Sequence, residues 1–150
     1  MAQNVNPTFV KTPNQGQTQI STGTSSGIAN PNIVYTGGVN GSKINALIAT
    51  SYQTSAAMDI QWGVSTTSAS TFFLVYGTVL VTTAAGSSDS QPAINLLSAT
   101  NLPLDSDGNP YLFLPSTAYT LVARPAPGNT SSTWQSSAII NIICPSAGDF

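Results

Sequence analysis

The side chains able to do chemistry are few. Asp59, Asp89, Asp105, Asp107 and Asp149 are the only acids, Lys11, Lys43 and Arg124 the only cations, Cys144 the only thiol, and histidine and glutamate are absent. Without histidine there can be no Ser-His-Asp or Cys-His nucleophile and no histidine-ligated zinc, and without glutamate no Glu-based acid/base pair. Cleavage of a glycosidic bond needs two carboxyls on opposite sides of that bond, about 5–9 Å apart, and five scattered aspartates suggest no such pair. Asp105-Ser106-Asp107-Gly108-Asn109 spaces oxygens as a calcium loop does, but the register fails. Counting from Asp105 puts Pro110 where the invariant glycine belongs and Ser116 where the bidentate glutamate belongs, so an ordinary turn is expected. Gly37-Gly38-Val39-Asn40-Gly41-Ser42-Lys43 has the glycines, hydroxyl and lysine of a phosphate loop in the wrong order. That loop needs Gly-Lys-Ser/Thr opening a helix, whereas Lys43 follows Ser42 and leads into a strand-like run. Cys144 ends an apolar run and reads as a small buried hydrophobe. No catalytic, cofactor-binding or metal-binding residue is expected, and the chain reads as a non-enzyme.

The composition explains why reactive groups are scarce. Of 150 residues, 41% are hydrophobic and 5% charged, for a net charge of −2, while serine and threonine make up about a quarter. Three cations cannot neutralise the row of phosphates that sequence-independent nucleic-acid binding requires. No apolar run approaches the roughly 18–20 residues that span a bilayer, so neither nucleic acid nor membrane is an expected partner. One cysteine cannot make an internal disulfide framework, and the first residues lack a basic region followed by an apolar stretch, so synthesis in a cytoplasm is expected. The sequons Asn40-Gly41-Ser42 and Asn129-Thr130-Ser131 would matter only after secretion. An uncharged polar surface favours association over solitary solubility, which suits a chain destined for an assembly.

Two segments differ in texture. Residues 1 to about 30 are rich in Asn, Gln, Gly, Ser and Thr, with Val5, Phe9, Val10, Ile20 and Ile28 as their sizeable apolar groups. Such a stretch cannot build a core, and it reads as an extended polar N-terminal arm. Residues 31–150 read as an all-β domain of about eight short apolar runs: Ile33 to Thr36, Ile44 to Ser51, Ala57 to Ser65, Thr71 to Thr83, Ala93 to Ser98, Tyr111 to Leu114, Ala118 to Arg124 and Ser137 to Cys144. Met58, Ile60, Trp62 and Val64 alternate with Asp59, Gln61 and Gly63, the period-two pattern of a strand with one wet face. Phe72 to Val81 and Ile139 to Ile143 are apolar on both faces, which predicts a central position in a sheet or a second face turned to another subunit. Gly77 is a candidate bulge or break, and at most one short helix is expected. Turns are predicted at Gly37-Gly38, Asn40-Gly41, Gly86-Ser87, Asp107 to Pro110, Pro115-Ser116 and Pro127-Gly128. Eight strands at this spacing predict an antiparallel β-sandwich, jelly-roll-like.

Trp62 reads as core, while Trp134, inside the polar stretch Gly128 to Ser137, is the better candidate for an exposed contact. With the apolar groups of the arm this makes Val5, Phe9, Val10, Ile20 and Trp134 the candidate intersubunit contacts. In its whole length the chain resembles the head-decoration, or cement, proteins of tailed bacteriophages. The resemblance lies in the start Met1-Ala2-Gln3-Asn4-Val5-Asn6-Pro7, the polar arm, the Ser/Thr-rich β body, the segment Asp107 to Pro115 and the end Ala147-Gly148-Asp149-Phe150. It implies a virion structural protein on the capsid exterior, with the major capsid protein and other copies of itself, as homodimer or homotrimer, for partners. The alternative is a small tail- or fibre-associated protein acting as a receptor- or carbohydrate-binding module.

Overall fold

β-Branched and aromatic residues in short runs, with little support for helix, leave the chain one route to a core: pleated strands stacked in two layers. The computed structural model describes residues 12–21, 31–52, 58–66, 74–81, 93–126 and 139–150. These residues form β1 (Thr12–Ser21), β2 (Asn32–Thr36), β3 (Ser42–Tyr52), β4 (Met58–Thr66), β5 (Leu74–Val81), β6 (Ala93–Asn95), β7 (Leu112–Leu114), β8 (Tyr119–Pro125) and β9 (Ile139–Asp149). The one helical element among them is a 3-10 helix at Leu96–Ala99.

The first sheet runs β1-β9-β3-β6, with β7 also pairing β3; the second runs β2-β8-β4-β5. All these pairings are antiparallel. The protein is therefore an all-β antiparallel sandwich. β6 pairs with Ile48 to Thr50 of β3 and β7 with Ser42 to Ile44, so two short pieces share one flank of β3. Inward side chains from both layers meet in one core: Ile20 of β1, Ile44, Leu47 and Ala49 of β3, Ile60 and Trp62 of β4, Leu112 and Leu114 of β7, Leu121 and Ala123 of β8, and Ile140, Ile142 and Cys144 of β9.

Irregularities in the ladders explain where the strands depart from simple alternation. In β3 the buried positions switch from Ser42 and Ile44 to Leu47 and Ala49. The switch falls where Asn45 is an extra residue against β9. β9 carries its own extra residue around Pro145, in register with both β1 and β3. Proline has no N–H for a ladder and is tolerated inside a sheet only at such a bulge. The run predicted to stop at Cys144 consequently continues to Asp149. The run predicted over Ala93 to Ser98 divides instead. The Asn95 side chain accepts a hydrogen bond from the Leu97 amide at 3.1 Å and turns the chain into the 3-10 helix, burying Leu96 and Leu97 between the layers.

Two expectations are corrected. The arm does not extend over the first 30 residues as a segment apart from the β domain, because Thr12–Ser21 is a ten-residue strand paired along β9. Gln15, Gln17 and Gln19 occupy the outer positions, and its backbone needs only ladder partners, not an apolar sequence. β1 also lies against β2 across the layers. A Cβ on Gly16 would sit 2.2 Å from the Val34 carbonyl oxygen, so only glycine permits the approach that closes this flank. The second correction concerns one of the two expectations for Leu74–Val81, a central position in a sheet: among the described residues β5 ends the second sheet and pairs with β4 alone. β9, by contrast, lies between β1 and β3, as its apolar character predicts. Gly77 does flank a bulge, since Tyr76 is the extra residue opposite Trp62 and Gly63.

Candidate functional site

The densest polar cluster joins four strands and both layers at one end of the sandwich. Asp149, at the end of β9, accepts hydrogen bonds at Oδ1 from the Tyr35 hydroxyl of β2 at 2.7 Å and from the Ser42 hydroxyl of β3. Its Oδ2 accepts a long 3.5 Å bond from Asn14 Nδ2 of β1. Ser42 Oγ in turn accepts from the Gly38 amide at 2.7 Å. Burial alone would raise the Asp149 pKa, but the bonds donated by Ser42, Tyr35 and Asn14 outweigh it and hold the carboxyl below its ordinary range. The same contact acts oppositely on Tyr35, whose pKa burial and the neighbouring carboxylate push up to about 12. The next residue is fastened too: the Phe150 amide donates to the Gly41 carbonyl at 3.1 Å, Asn40 Nδ2 donates to the Phe150 main-chain oxygen at 3.1 Å, and its ring meets Phe113 at 5.8 Å. The carboxylate contacts clamp β9 to β1, β2 and β3. Among the described residues its hydrogen-bond partners are hydroxyl and amide donors, not a second carboxylate.

Asp105 to Asn109 forms the turn expected of it. Asp105 Oδ1 accepts from the amides of Asp107 at 3.0 Å and Asn109 at 2.8 Å, and the Gly108 amide donates to the Asp105 carbonyl at 3.1 Å. The Asn109 amide is the main cause that lowers the Asp105 pKa. A carboxylate occupied by its own backbone is spoken for as a turn cap. Lys43, leading into β3 as expected, holds its ammonium 4.8 Å from the centre of the Tyr111 ring. Cys144 is buried on the inner face of β9, as expected of a small hydrophobe. Among the described residues no three acidic or thiol groups converge as metal ligands would.

Two surface features remain. Tyr76, 40% exposed, stacks on the buried Trp62 with ring centres 5.8 Å apart and planes 15° from parallel. The outer face of β1 and β9 is an uncharged shelf of Gln15, Gln17, Gln19, Asn141 and Ile143, in which Gln19 Nε2 donates to Asn141 Oδ1 at 2.9 Å. A shallow groove of about 490 Å³ runs along it. Ile143 is exposed there with no charged neighbour along the groove.

Of the candidate intersubunit contacts, Val5, Phe9, Val10 and Trp134 lie outside the described residues. Ile20 is corrected: it is fully buried in the chain's own core, where its side chain packs between the layers and meets no partner. The Asp149 clamp was not foreseen. Its donors Ser42, Tyr35 and Asn14 lie 107, 114 and 135 positions from Asp149 along the chain, and no local spacing marks such a set. Comparison with models of protein families, with curated proteins and with solved structures finds no match.

Proposed function

We propose that this chain is a non-enzymatic virion structural protein of a tailed phage that attaches to the outside of the capsid shell and reinforces it. The observation that carries the reading is the strand order. With β6 and β7 taken as one interrupted strand, two four-stranded layers run β1-β9-β3-β6/β7 and β2-β8-β4-β5, and the chain passes back and forth between them. We read this as a jelly roll, a frame that recurs in viral capsid proteins. Two further features support it. Asp149 and Asp105 accept hydrogen bonds that build a clamp and a turn. The uncharged shelf on β1 and β9 offers amides and an exposed Ile143 of the kind that a protein surface can cover. The partners under this reading are the major capsid protein and further copies of this chain, with no cofactor, nucleic acid or membrane.

Lectin domains use the same frame, and the half-exposed Tyr76 ring braced by Trp62 favours a second reading, a carbohydrate- or receptor-binding module on a tail or fibre. Quantitative mass spectrometry of purified particles separates the two. Decoration predicts a copy number equal to that of the major shell protein or a simple fraction of it. A handful of copies per particle assigns the chain to the tail, and complete absence from particles overturns the virion reading.

A further inference from the structure

The four sheet edges of this sandwich are not alike. β1 and β2 close on each other, with Gly16 pressed to the Val34 backbone. The opposite edge of the first sheet is divided between β6 and β7, three residues each, too short to template another strand. β5 is different: eight residues, Leu-Val-Tyr-Gly-Thr-Val-Leu-Val, with no charge and no proline, and among the described residues no strand pairs its outer side. Proteins blunt an exposed edge with charge, proline, shortness, a bulge or a covering helix or loop. Among the described residues β5 has a bulge at Tyr76, and Thr100, just after the 3-10 helix, lies against Gly77; from there Gly77 to Val81 pairs in regular register with Trp62 to Met58.

We infer that the Gly77–Val81 edge of β5 is where two copies of this chain pair antiparallel about a two-fold axis, joining their second sheets into one continuous sheet. The inference rests on the self-association in the proposed function and names its surface and its number. A strand can pair with its own copy when no charge must face its like, and β5 carries none. Pairing also ends at two. The joined sheet is bounded on both sides by β2, which β1 already covers, so the contact is isologous and closed and cannot grow into a fibre.

Thr78 is exposed in this stretch and faces Gln61 in the ladder, so a charge there leaves the core alone while placing two like charges on one face of the joined sheet. The test measures the mass of the wild-type full chain in solution, then of Thr78→Lys, Thr78→Asp and their equimolar mixture, with circular dichroism as the check on folding. The expected result is a wild-type dimer, loss of the dimer in each variant and its return in the mixture. Hydrogen exchange of the wild type is a second readout that needs no variant: protection of the Gly77–Val81 amides rises with protein concentration. A wild-type monomer with concentration-independent exchange overturns both the inference and the self-association beneath it. A dimer indifferent to both charges, or a mixture that stays monomeric, overturns the β5 edge and leaves self-association standing.

Discussion

Asp149 shows how an acid in a nearly uncharged chain can be spent on architecture. Its carboxylate receives hydroxyl donors from β2 and β3, so it ties the two layers together where β9 ends. Hydrogen bonds to a charged acceptor are stronger than neutral ones, and Tyr35→Phe should cost about 1–2 kcal/mol in chemical denaturation. The pH dependence has two arms of opposite sign. The Asp149 pKa is lowered by folding, so its contribution is present above the ordinary carboxylate value of 3.8 and is lost as the pH falls through the depressed folded value. The Tyr35 pKa is raised from 10.0 to about 12, so its contribution is complete below 10 and is lost as the pH climbs toward 12. Thermal unfolding across pH should show that Tyr35→Phe loses the alkaline decline due to this residue and has a smaller acid decline than wild type, because Asp149 with one donor fewer is held less far below 3.8.

At the scale of elements, β1 decides what the polar first segment is for. A chain lacking residues 1–11 keeps every described contact of β1 and should still unfold cooperatively. A chain lacking residues 1–21 loses the strand paired with β9 and empties the Ile20 site, which alone removes about 2–5 kcal/mol. Urea titration of the two truncations distinguishes them. The sequence made most of the sandwich legible, because Ile60 and Trp62 alternate with Asp59 and Gln61 and a strand is the only element with that period. β1 was not legible: Thr-Pro-Asn-Gln-Gly-Gln-Thr-Gln-Ile-Ser places one large apolar side chain, Ile20, against the core, and its pairing is a matter of backbone hydrogen bonds that composition does not record. The extension of β9 through Pro145 was hidden for the complementary reason, since a bulge visible only in register reverses what proline means in a strand. The Asp149 clamp required the topology itself. The turn at Asp105 was legible because all its bonds close within five residues.

For the molecule as a whole, low charge sets how it meets other surfaces. With a net charge of −2 and 5% charged residues, the shell attachment proposed above should depend on apolar contact and amide hydrogen bonds, so the fraction bound to shells should change little from low to high salt in a sedimentation assay. A steep loss of binding with salt would point to a charged docking site on this chain instead. The order of strands in the first sheet has a further consequence, for the time at which the fold can form. β9 lies between β1 and β3, yet it is the last of the nine strands to be synthesised. A nascent chain that has reached residue 138 therefore holds both flanks of that sheet with the middle strand missing, and its core lacks Ile140, Ile142 and Cys144. The layer closes in one late, long-range step as β9 leaves the ribosome, and a chain broken off before that point has no finished outer face on its first sheet.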